Sequence, residues 1–232
     1  MAFRNSKNSG LVSTCLIKFS FLGFCQTARM QKEEVEKWRI RADIAVEFLE
    51  VAFHSILYYC SVYPKAIFCL KRKYQLPVHV SRHPKVNAYI TESLKTIRWL
   101  LEKDGVRGIF LVILDGYENP LERFCFDFEP ADCETSDEYF VQTEEAFREY
   151  LLKLSVSHGE SEESENKSFR VEVVTREQSS VRLNESSEQS HFPWIESEGG
   201  VTNSKFRIFP LKTLDNSIIK LNMYMEKGSD EV

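Results

Sequence analysis

Two cysteines and two histidines fall close together in the sequence, around and after the end of the first long apolar segment. Cys60, Cys69, His79 and His83 could supply two thiolates and two imidazoles, and His79 and His83 have a spacing compatible with one metal ion. Eight residues separate the two cysteines, however, whereas paired zinc ligands usually have about two to four between them. We therefore expect no metal site, and we interpret these thiols as ordinary packing residues.

The sequence contains none of the short motifs that commonly mark a catalytic centre. It has no Gly-x-Ser-x-Gly elbow, no glycine-rich phosphate loop and no His-Glu-x-x-His segment. His54 follows Glu50 by four residues, a spacing that predicts a pair on the surface of one helix. We therefore predict that the protein is not an enzyme and needs no cofactor.

The overall charge and the apolar content limit the classes of partner. Thirty Lys and Arg residues against 35 Asp and Glu residues leave a net charge of −5, which disfavours direct binding of nucleic acid. No apolar run approaches the ~18 residues of a membrane helix, so we expect no membrane partner. The six cysteines are scattered without a Cys-x-x-Cys pair, which is typical of a reduced intracellular protein.

The first thirty residues differ in composition from the remainder of the chain. They contain no Asp or Glu but four basic residues, a composition typical of an organelle transit peptide. The other interpretation is an upstream start, because the segment MQKEEVEKW from Met30 looks like the normal beginning of a helix. We predict that residues 1–30 are either disordered or an alternative start, outside the folded domain.

Hydrophobic periodicity predicts helices and strands in alternation. Three helices are expected over residues 33–62, 81–105 and 136–157. Strands are expected in the segments AIFCLKRKYQLPVHV, VRGIFLVIL, LERFCFDF, FRVEVVT, KFRIFPL and SIIKLNMYMEK. This order predicts an α+β fold in which helices pack on an antiparallel sheet.

Two aromatic residues lie in an otherwise polar part of the chain. The segment HFPWI, residues 191–195, follows a stretch rich in Ser, Glu, Asn and Gln and precedes ESEGG. Loops seldom carry a Phe and a Trp unless the rings pack against something. Trp194 is therefore predicted to anchor this segment, either on the core of the protein itself or on a partner.

Several blocks of the sequence carry a family resemblance: EFLEVAFHSILYYCSVYPKAIF, HPKVNAYITESL, LLEKDGV, FPWI and FPLKT. In this order and spacing they resemble the HORMA-domain accessory subunits of translesion DNA polymerase zeta. This family is also known as mitotic-arrest-deficient-like B, a homologue of a spindle-checkpoint protein. The resemblance implies a HORMA domain over residues 35–226, with three helices packed on a small antiparallel sheet. It also implies a C-terminal safety belt over about residues 175–226. The residues that follow, 227–232, are predicted from their composition to be a disordered tail.

The resemblance implies that the protein binds a peptide. In this family the belt wraps over a short Pro-containing segment of the partner, the catalytic subunit of DNA polymerase zeta, which lies beside the sheet edge. By position, Trp194 and Pro193 belong to the belt over the peptide, and Tyr89 supplies the ring below it. We expect truncation of Trp194 or Tyr89 to cost about 2 kcal/mol or more of binding free energy.

Two further surfaces are implied by the same resemblance. Ile208, Asn222 and Tyr224 match the positions that receive the C-terminal domain of the scaffold deoxycytidyl-transferase polymerase. Ile208 stands in place of a leucine and Asn222 in place of a longer amide, so this match is less close than that of the belt. Arg148 matches the arginine at the centre of HORMA homodimers and heterodimers; its alternative is a solvated helix face with local ion pairs.

The resemblance implies a non-catalytic adaptor in translesion DNA synthesis, resident in the nucleus, with the cytoplasm as a second location. An alternative within the same fold is a cell-cycle checkpoint adaptor that sequesters activators of the anaphase-promoting complex. An alternative from another class is an organelle-targeted enzyme, which only residues 1–30 suggest.

Overall fold

A long first helix, α1, dominates the N-terminal part of the chain in the computed structural model. It spans Ser13–Tyr59, and its sequence contains no proline. The structure describes the backbone of residues 13–130, 137–158, 166–176, 194 and 206–228, and within these ranges the side chains from residue 35 onward except that of residue 137. The sequence predicts a helix only from residue 33, whereas α1 begins at Ser13; where the folded domain begins stays a prediction.

The chain divides into two units, residues 1–37 and residues 38–232, and the fold below is that of the second unit. Two further helices follow α1: α2 spans Pro84–Glu102 and α3 spans Asp137–Ser157. The strands are β1 Phe68–Lys73, β2 Leu76–Ser81, β3 Val106–Leu114, β4 Pro120–Glu129, β5 Ser168–Thr175, β6 Phe206–Asp215 and β7 Lys220–Gly228. Among the described residues, no helix has an apolar stretch of the length that a membrane span requires.

The strands form two antiparallel sheets. β1 and β2 pair as a hairpin, and its turn residues Tyr74 and Gln75 have positive φ angles of 48° and 59°. The larger sheet has the strand order β5-β3-β4-β7-β6. β5 and β6 are therefore its two outer strands, and the C-terminal hairpin β6–β7 is added to β4 rather than to β5.

The hydrophobic core lies between one face of the larger sheet and the helices. Phe48 of α1 stacks on Phe147 of α3 with ring centroids 3.9 Å apart, and it meets the edge of Phe126 of β4 at 6.1 Å. The periodic apolar residues predicted for the second helix are all buried: Val86, Ile90, Leu94, Ile97 and Leu101. The structure thus confirms the predicted α+β fold, with helices packed on an antiparallel sheet.

His54 corrects one prediction from helical spacing. It is only 3% exposed, and its Nδ1 accepts a hydrogen bond from the backbone N–H of Ser81 at 3.4 Å. The predicted surface pair with Glu50 is therefore wrong, because the end of β2 meets this side of α1. Burial, with a smaller effect of nearby Lys71, lowers the pKa of His54 to about 4, so the imidazole is neutral in the folded protein near pH 7.

Candidate peptide-binding edge and outer sheet face

The outer edge of β5 carries backbone groups that none of the described strands pairs with. Among the described strands, β5 pairs only with β3. The backbone N–H of Val171 points away from β3 and donates to the hydroxyl of Tyr89 at 3.3 Å. Because backbone direction alternates along an antiparallel strand, Phe169 and Val173 turn their amides to the same side. An extended chain could therefore pair with β5 along this edge.

Aromatic side chains line this edge from below. Tyr89 of α2 is half-buried and meets Phe169 edge-on, with ring centroids 5.3 Å apart. Phe169 in turn meets Tyr63, which follows the end of α1, at 6.2 Å. Burial raises the pKa of Tyr63, and the neighbouring Tyr89 raises it further, so the Tyr63 hydroxyl stays protonated near pH 7.

Trp194 is half-buried and packs against the main hydrophobic core, as does Tyr89. The structure therefore places an indole from the HFPWI segment on the same core that supports the β5 edge. Pro193, predicted beside it, lies outside the described residues. That Trp194 and Tyr89 contact a bound peptide stays a prediction.

The outer face of the sheet, opposite the helices, collects the residues predicted for a second partner. Asn222, Tyr224 and Glu226 alternate along one face of β7, and Ile208 lies opposite Glu226 on β6. Ile208 is 64% exposed, so an apolar side chain faces solvent there. The Nδ2 of Asn222 donates to Glu129 Oε1 at 3.0 Å. The three predicted residues thus share one surface.

The hydroxyl of Tyr224 is held in place by a half-buried carboxylate. It donates to Asp127 Oδ2 at 3.0 Å. Burial raises the pKa of both Asp127 and Tyr224, and each hydrogen bond favours a protonated phenol beside an ionised carboxylate near pH 7. A Cβ at Gly108 would lie 2.8 Å from Asp127 Oδ1, so the glycine gives this carboxylate its room. The Tyr224 ring is therefore pre-oriented rather than free to rotate.

Arg123, whose side chain links the strands β5, β4 and β7 on this face, was not identified from the sequence. Arg123 is 11% exposed and lies over the ring of Phe110 at 5.3 Å. Its guanidinium is 3.4 Å from Glu172 of β5 and 3.6 Å from Glu226 of β7. No local pattern could have identified this role, because it depends on the register of β5, β3, β4 and β7.

Arg148 lies on the solvent-exposed face of α3. Val141, Leu152 and Val156 are also exposed, by 56%, 44% and 82%, and helical periodicity places them on the same side as Arg148. The predicted solvated face with local pairs would not need this apolar stripe. Whether Arg148 lies at a dimer interface stays a prediction.

The cysteine and histidine residues first considered for a metal are not brought together. Cys69 Sγ donates to the carbonyl of Val80, and His79 stacks on Tyr58 with ring centroids 3.4 Å apart. Within the described part of the chain, the one group of side chains with metal-compatible geometry is instead Cys60, Glu122 and His158. Glu122 and His158 carried no signal in the sequence that would have linked them to Cys60.

Comparison with known proteins identifies relatives along most of the chain. The family model described as HORMA domain matches residues 42–189. The chain is 35% identical over 202 residues to the "Mitotic spindle assembly checkpoint protein MAD2B" of Homo sapiens, covering 85% of this chain and 96% of that protein. It is 27% identical over 190 residues to the "DNA polymerase zeta subunit 2" of Drosophila melanogaster, covering 79% and 96%.

Solved structures share the fold at lower sequence identity. A chain of the "Crystal Structure of Mitotic Checkpoint Complex" has a TM-score of 0.67 at 21% identity, covering 81% of this chain and 98% of that chain. The "Structure of C. elegans HTP-2 bound to HIM-3 closure motif" has a TM-score of 0.59 at 10% identity, covering 79% and 88%. The match of the family model to more than half of the residues, together with these relatives, shows that the chain belongs to the HORMA domain family.

Proposed function

We propose that this protein is a non-catalytic adaptor that traps an extended, Pro-containing segment of the DNA polymerase zeta catalytic subunit along the outer edge of β5. The observation that carries the proposal is the outward amide of Val171, whose present partner is a tyrosine hydroxyl rather than another strand. The relative named as a subunit of DNA polymerase zeta supports this choice of partner. The neighbour described as bound to a closure motif supports a peptide as the ligand.

The edge of β5 offers both main-chain hydrogen bonds and aromatic side-chain contacts to a peptide. A peptide strand there would exchange main-chain hydrogen bonds with the outward groups of Phe169, Val171 and Val173. Its prolines would sit where no N–H has to face β5, because proline cannot donate to a ladder. Tyr89 would support the peptide from α2, and Trp194, with Pro193, would close over it. Aromatic anchors of this kind concentrate binding energy in few residues.

The outer sheet face supplies a second binding surface in this proposal. Ile208, Asn222 and Tyr224 would receive the C-terminal domain of the scaffold deoxycytidyl-transferase polymerase. The exposed Ile208 would fill an apolar pocket of that domain, and the fixed Tyr224 ring would pack beside it. Because this face and the β5 edge are separate parts of the sheet, the adaptor could hold both partners at once and bridge them.

A tryptophan fluorescence titration tests the peptide proposal. The purified chain is titrated with a Pro-rich peptide from the polymerase zeta catalytic subunit and with the same peptide in scrambled order. We expect a saturable emission change with the native order only. Trp194→Phe should abolish most of that change, whereas Trp99→Phe should retain it. No saturable change with the unaltered chain would overturn the proposal.

The alternative adaptor role, sequestration of anaphase-promoting-complex activators, is favoured by the name of the MAD2B relatives. Both roles use the same edge, so competition between the two partner peptides decides between them. The peptide with the lower Kd identifies the partner class.

We place the adaptor in the nucleus, with the cytoplasm as a second location, and a fluorescent fusion of the full chain tests that placement. A fusion of residues 1–30 alone tests the organelle-targeted enzyme: organelle import would support it, and a diffuse signal would exclude it.

A further inference from the structure

Three metal-binding side chain types meet where α1, α3 and β4 end or begin. Cys60 follows the end of α1, His158 follows the end of α3, and Glu122 lies near the start of β4. Cys60 Sγ is 3.5 Å from Glu122 Oε2, and His158 Nε2 is 3.0 Å from the same oxygen. All three ligand atoms lie within 4.8 Å of one another. A thiol, an imidazole and a carboxylate therefore converge on one point.

The distances between these atoms are close to the edges of a tetrahedral zinc site. Zinc bonds of about 2.3 Å to sulfur and about 2.0 Å to nitrogen or oxygen place tetrahedral ligands about 3.5 Å apart for sulfur and oxygen. The same bond lengths give about 3.3 Å for nitrogen and oxygen. Both values agree with the observed separations of 3.5 and 3.0 Å. The third separation, between Cys60 Sγ and His158 Nε2, lies within 4.8 Å, so side-chain movement can close the three ligands on one ion.

The surroundings leave room for a fourth ligand. A cavity of about 220 Å³ adjoins the three residues, and Leu121 and Lys167 also line it. His158 is 7% exposed, and its Nδ1 finds no hydrogen-bond partner within the part of the chain that the structure describes. A buried polar nitrogen of this kind indicates a nearby water molecule. The cavity is polar enough to hold water, which is the usual fourth ligand of an open zinc site.

We propose that Cys60 Sγ, Glu122 Oε2 and His158 Nε2 bind one divalent transition-metal ion of the zinc class, with a solvent water in the cavity as the fourth ligand. Borderline thiolate and imidazole ligands favour this class over magnesium or calcium. When the ion binds, the Cys60 thiol proton, which now points to Glu122 Oε2, is released to solvent. The imidazole of His158, which now contacts the same oxygen through Nε2, takes the Nδ1–H tautomer, so that Nε2 is free to bind the ion. The thiolate and the carboxylate together balance the charge of the dication.

Two lysines shape the site without occupying it. Lys227 of β7 contacts the other carboxylate oxygen, Glu122 Oε1, at 3.0 Å. Lys167 donates to the backbone carbonyl of Cys60 at 3.0 Å. Neither uses the oxygen or the sulfur that the ion would take. Lys227 belongs to the C-terminal hairpin β6–β7. An ion bound to Glu122 would therefore fix the carboxylate with which this hairpin forms an ion pair.

The competing interpretation is a metal-free cluster in which Glu122 is simply the shared acceptor of His158 and Lys227. The hydrogen bonds of His158 and Lys227 hold the pKa of Glu122 low, at about 2, although its burial acts to raise it, so the carboxylate is charged under either interpretation. Burial raises the pKa of Cys60 well above its ordinary value. The thiol is therefore protonated without a metal, and only metal binding creates a thiolate. Detection of a metal–thiolate bond separates the two interpretations.

The test is cobalt titration of the full, reduced chain. A tetrahedral cobalt site with one thiolate gives visible d–d bands and a near-ultraviolet thiolate-to-cobalt band. We expect both to saturate at one ion per chain. Cys60→Ser should abolish the thiolate band, and His158→Asn should weaken binding by more than about 100-fold, beyond the loss typical of groups outside the ligand set. Cys69→Ser, the matched control, should leave both unchanged.

Two results would overturn the proposal: no thiolate band in the unaltered chain, or a band that persists in Cys60→Ser. X-ray absorption on the zinc-loaded, unaltered chain keeps the test decisive if a variant fails to fold. One sulfur with nitrogen and oxygen neighbours supports the site. A shell without sulfur, or with two or more sulfurs, contradicts it. A confirmed site would revise the expectation from sequence that the protein holds no metal.

Discussion

Tyr89 provides a quantitative test of the β5 edge, because its ring and its hydroxyl make separate contributions. The hydroxyl accepts the outward N–H of Val171 at 3.3 Å, and the ring meets Phe169 at 5.3 Å. Tyr89→Phe removes only the hydroxyl, and Tyr89→Ala removes both. A bound peptide would replace the hydroxyl as the partner of Val171, whereas nothing would replace the ring.

The expected magnitudes follow from these contacts. A single long hydrogen bond to a backbone amide contributes about 0.5–1 kcal/mol, so Tyr89→Phe should lower the free energy of unfolding by that amount. It should lower the Kd for the peptide by about two- to fivefold, because the peptide supplies the acceptor and the variant has no hydrogen bond to give up. Tyr89→Ala should cost about 2 kcal/mol or more of binding, which corresponds to a Kd roughly 30-fold higher.

The assay is isothermal titration calorimetry with the polymerase zeta peptide, alongside urea unfolding of each variant. Tyr117→Ala is the matched control, since Tyr117 is 89% exposed in the β3–β4 turn and should change neither quantity. The reasoning is refuted if Tyr89→Ala binds the peptide as tightly as the unaltered chain while remaining folded. It is also refuted if Tyr89→Phe loses as much affinity as Tyr89→Ala.

Four further predictions concern the turn of the β6–β7 hairpin, the buried His54, the outer face of the sheet and the exposed face of α3. Asn216→Ala should lower the free energy of unfolding by about 2–4 kcal/mol in urea titrations. The buried amide of Asn216, in the turn between β6 and β7, accepts hydrogen bonds from two backbone N–H groups and donates one to Thr143 of α3. A loss under about 0.5 kcal/mol would contradict this. The folded pKa of His54, about 4, lies below its unfolded value of about 6.5, so stability should fall as the pH drops from 6.5 to 4, by about 3 kcal/mol. His54→Gln should remove that part of the slope, and an unchanged pH profile of unfolding would count against a neutral buried imidazole. Ile208→Arg should abolish pull-down of the scaffold polymerase domain but leave the peptide Kd intact; parallel loss of both would show misfolding instead. Arg148→Glu should shift a dimer to monomer in sedimentation velocity, and an unchanged distribution would exclude Arg148 from the interface.

The sequence predicted the parts of the fold that depend on local periodicity. The stripe from Val86 to Leu101 is buried because its spacing matches one helix turn, and Phe124, Phe126 and Phe128 are buried because they alternate along β4. His54 failed the same reasoning because a distant strand end covers it. Spacing along a helix cannot show which other element meets a given face.

The site depends more on pairing between distant segments, which no local pattern reports. Arg123 links β5 and β7 only through the register of the sheet, and Cys60 lies 62 residues from Glu122. Tyr89, Trp194 and the outer-face residues were identified through family resemblance rather than through spacing. Their neighbours Tyr63 and Phe169 carried only the signal of ordinary apolar residues. The strand order places Phe169 on the outer strand β5, where its ring meets Tyr63.

Hydrogen exchange of individual backbone amides tests most directly whether a peptide adds a strand to β5. With saturating peptide, the outward amides of Phe169, Val171 and Val173 should exchange more slowly, because they then donate to the peptide. The outer amides of β6, the other edge of the same sheet, should exchange as before. Unchanged exchange along β5 at saturation, or protection that appears at β6 instead, would contradict the account.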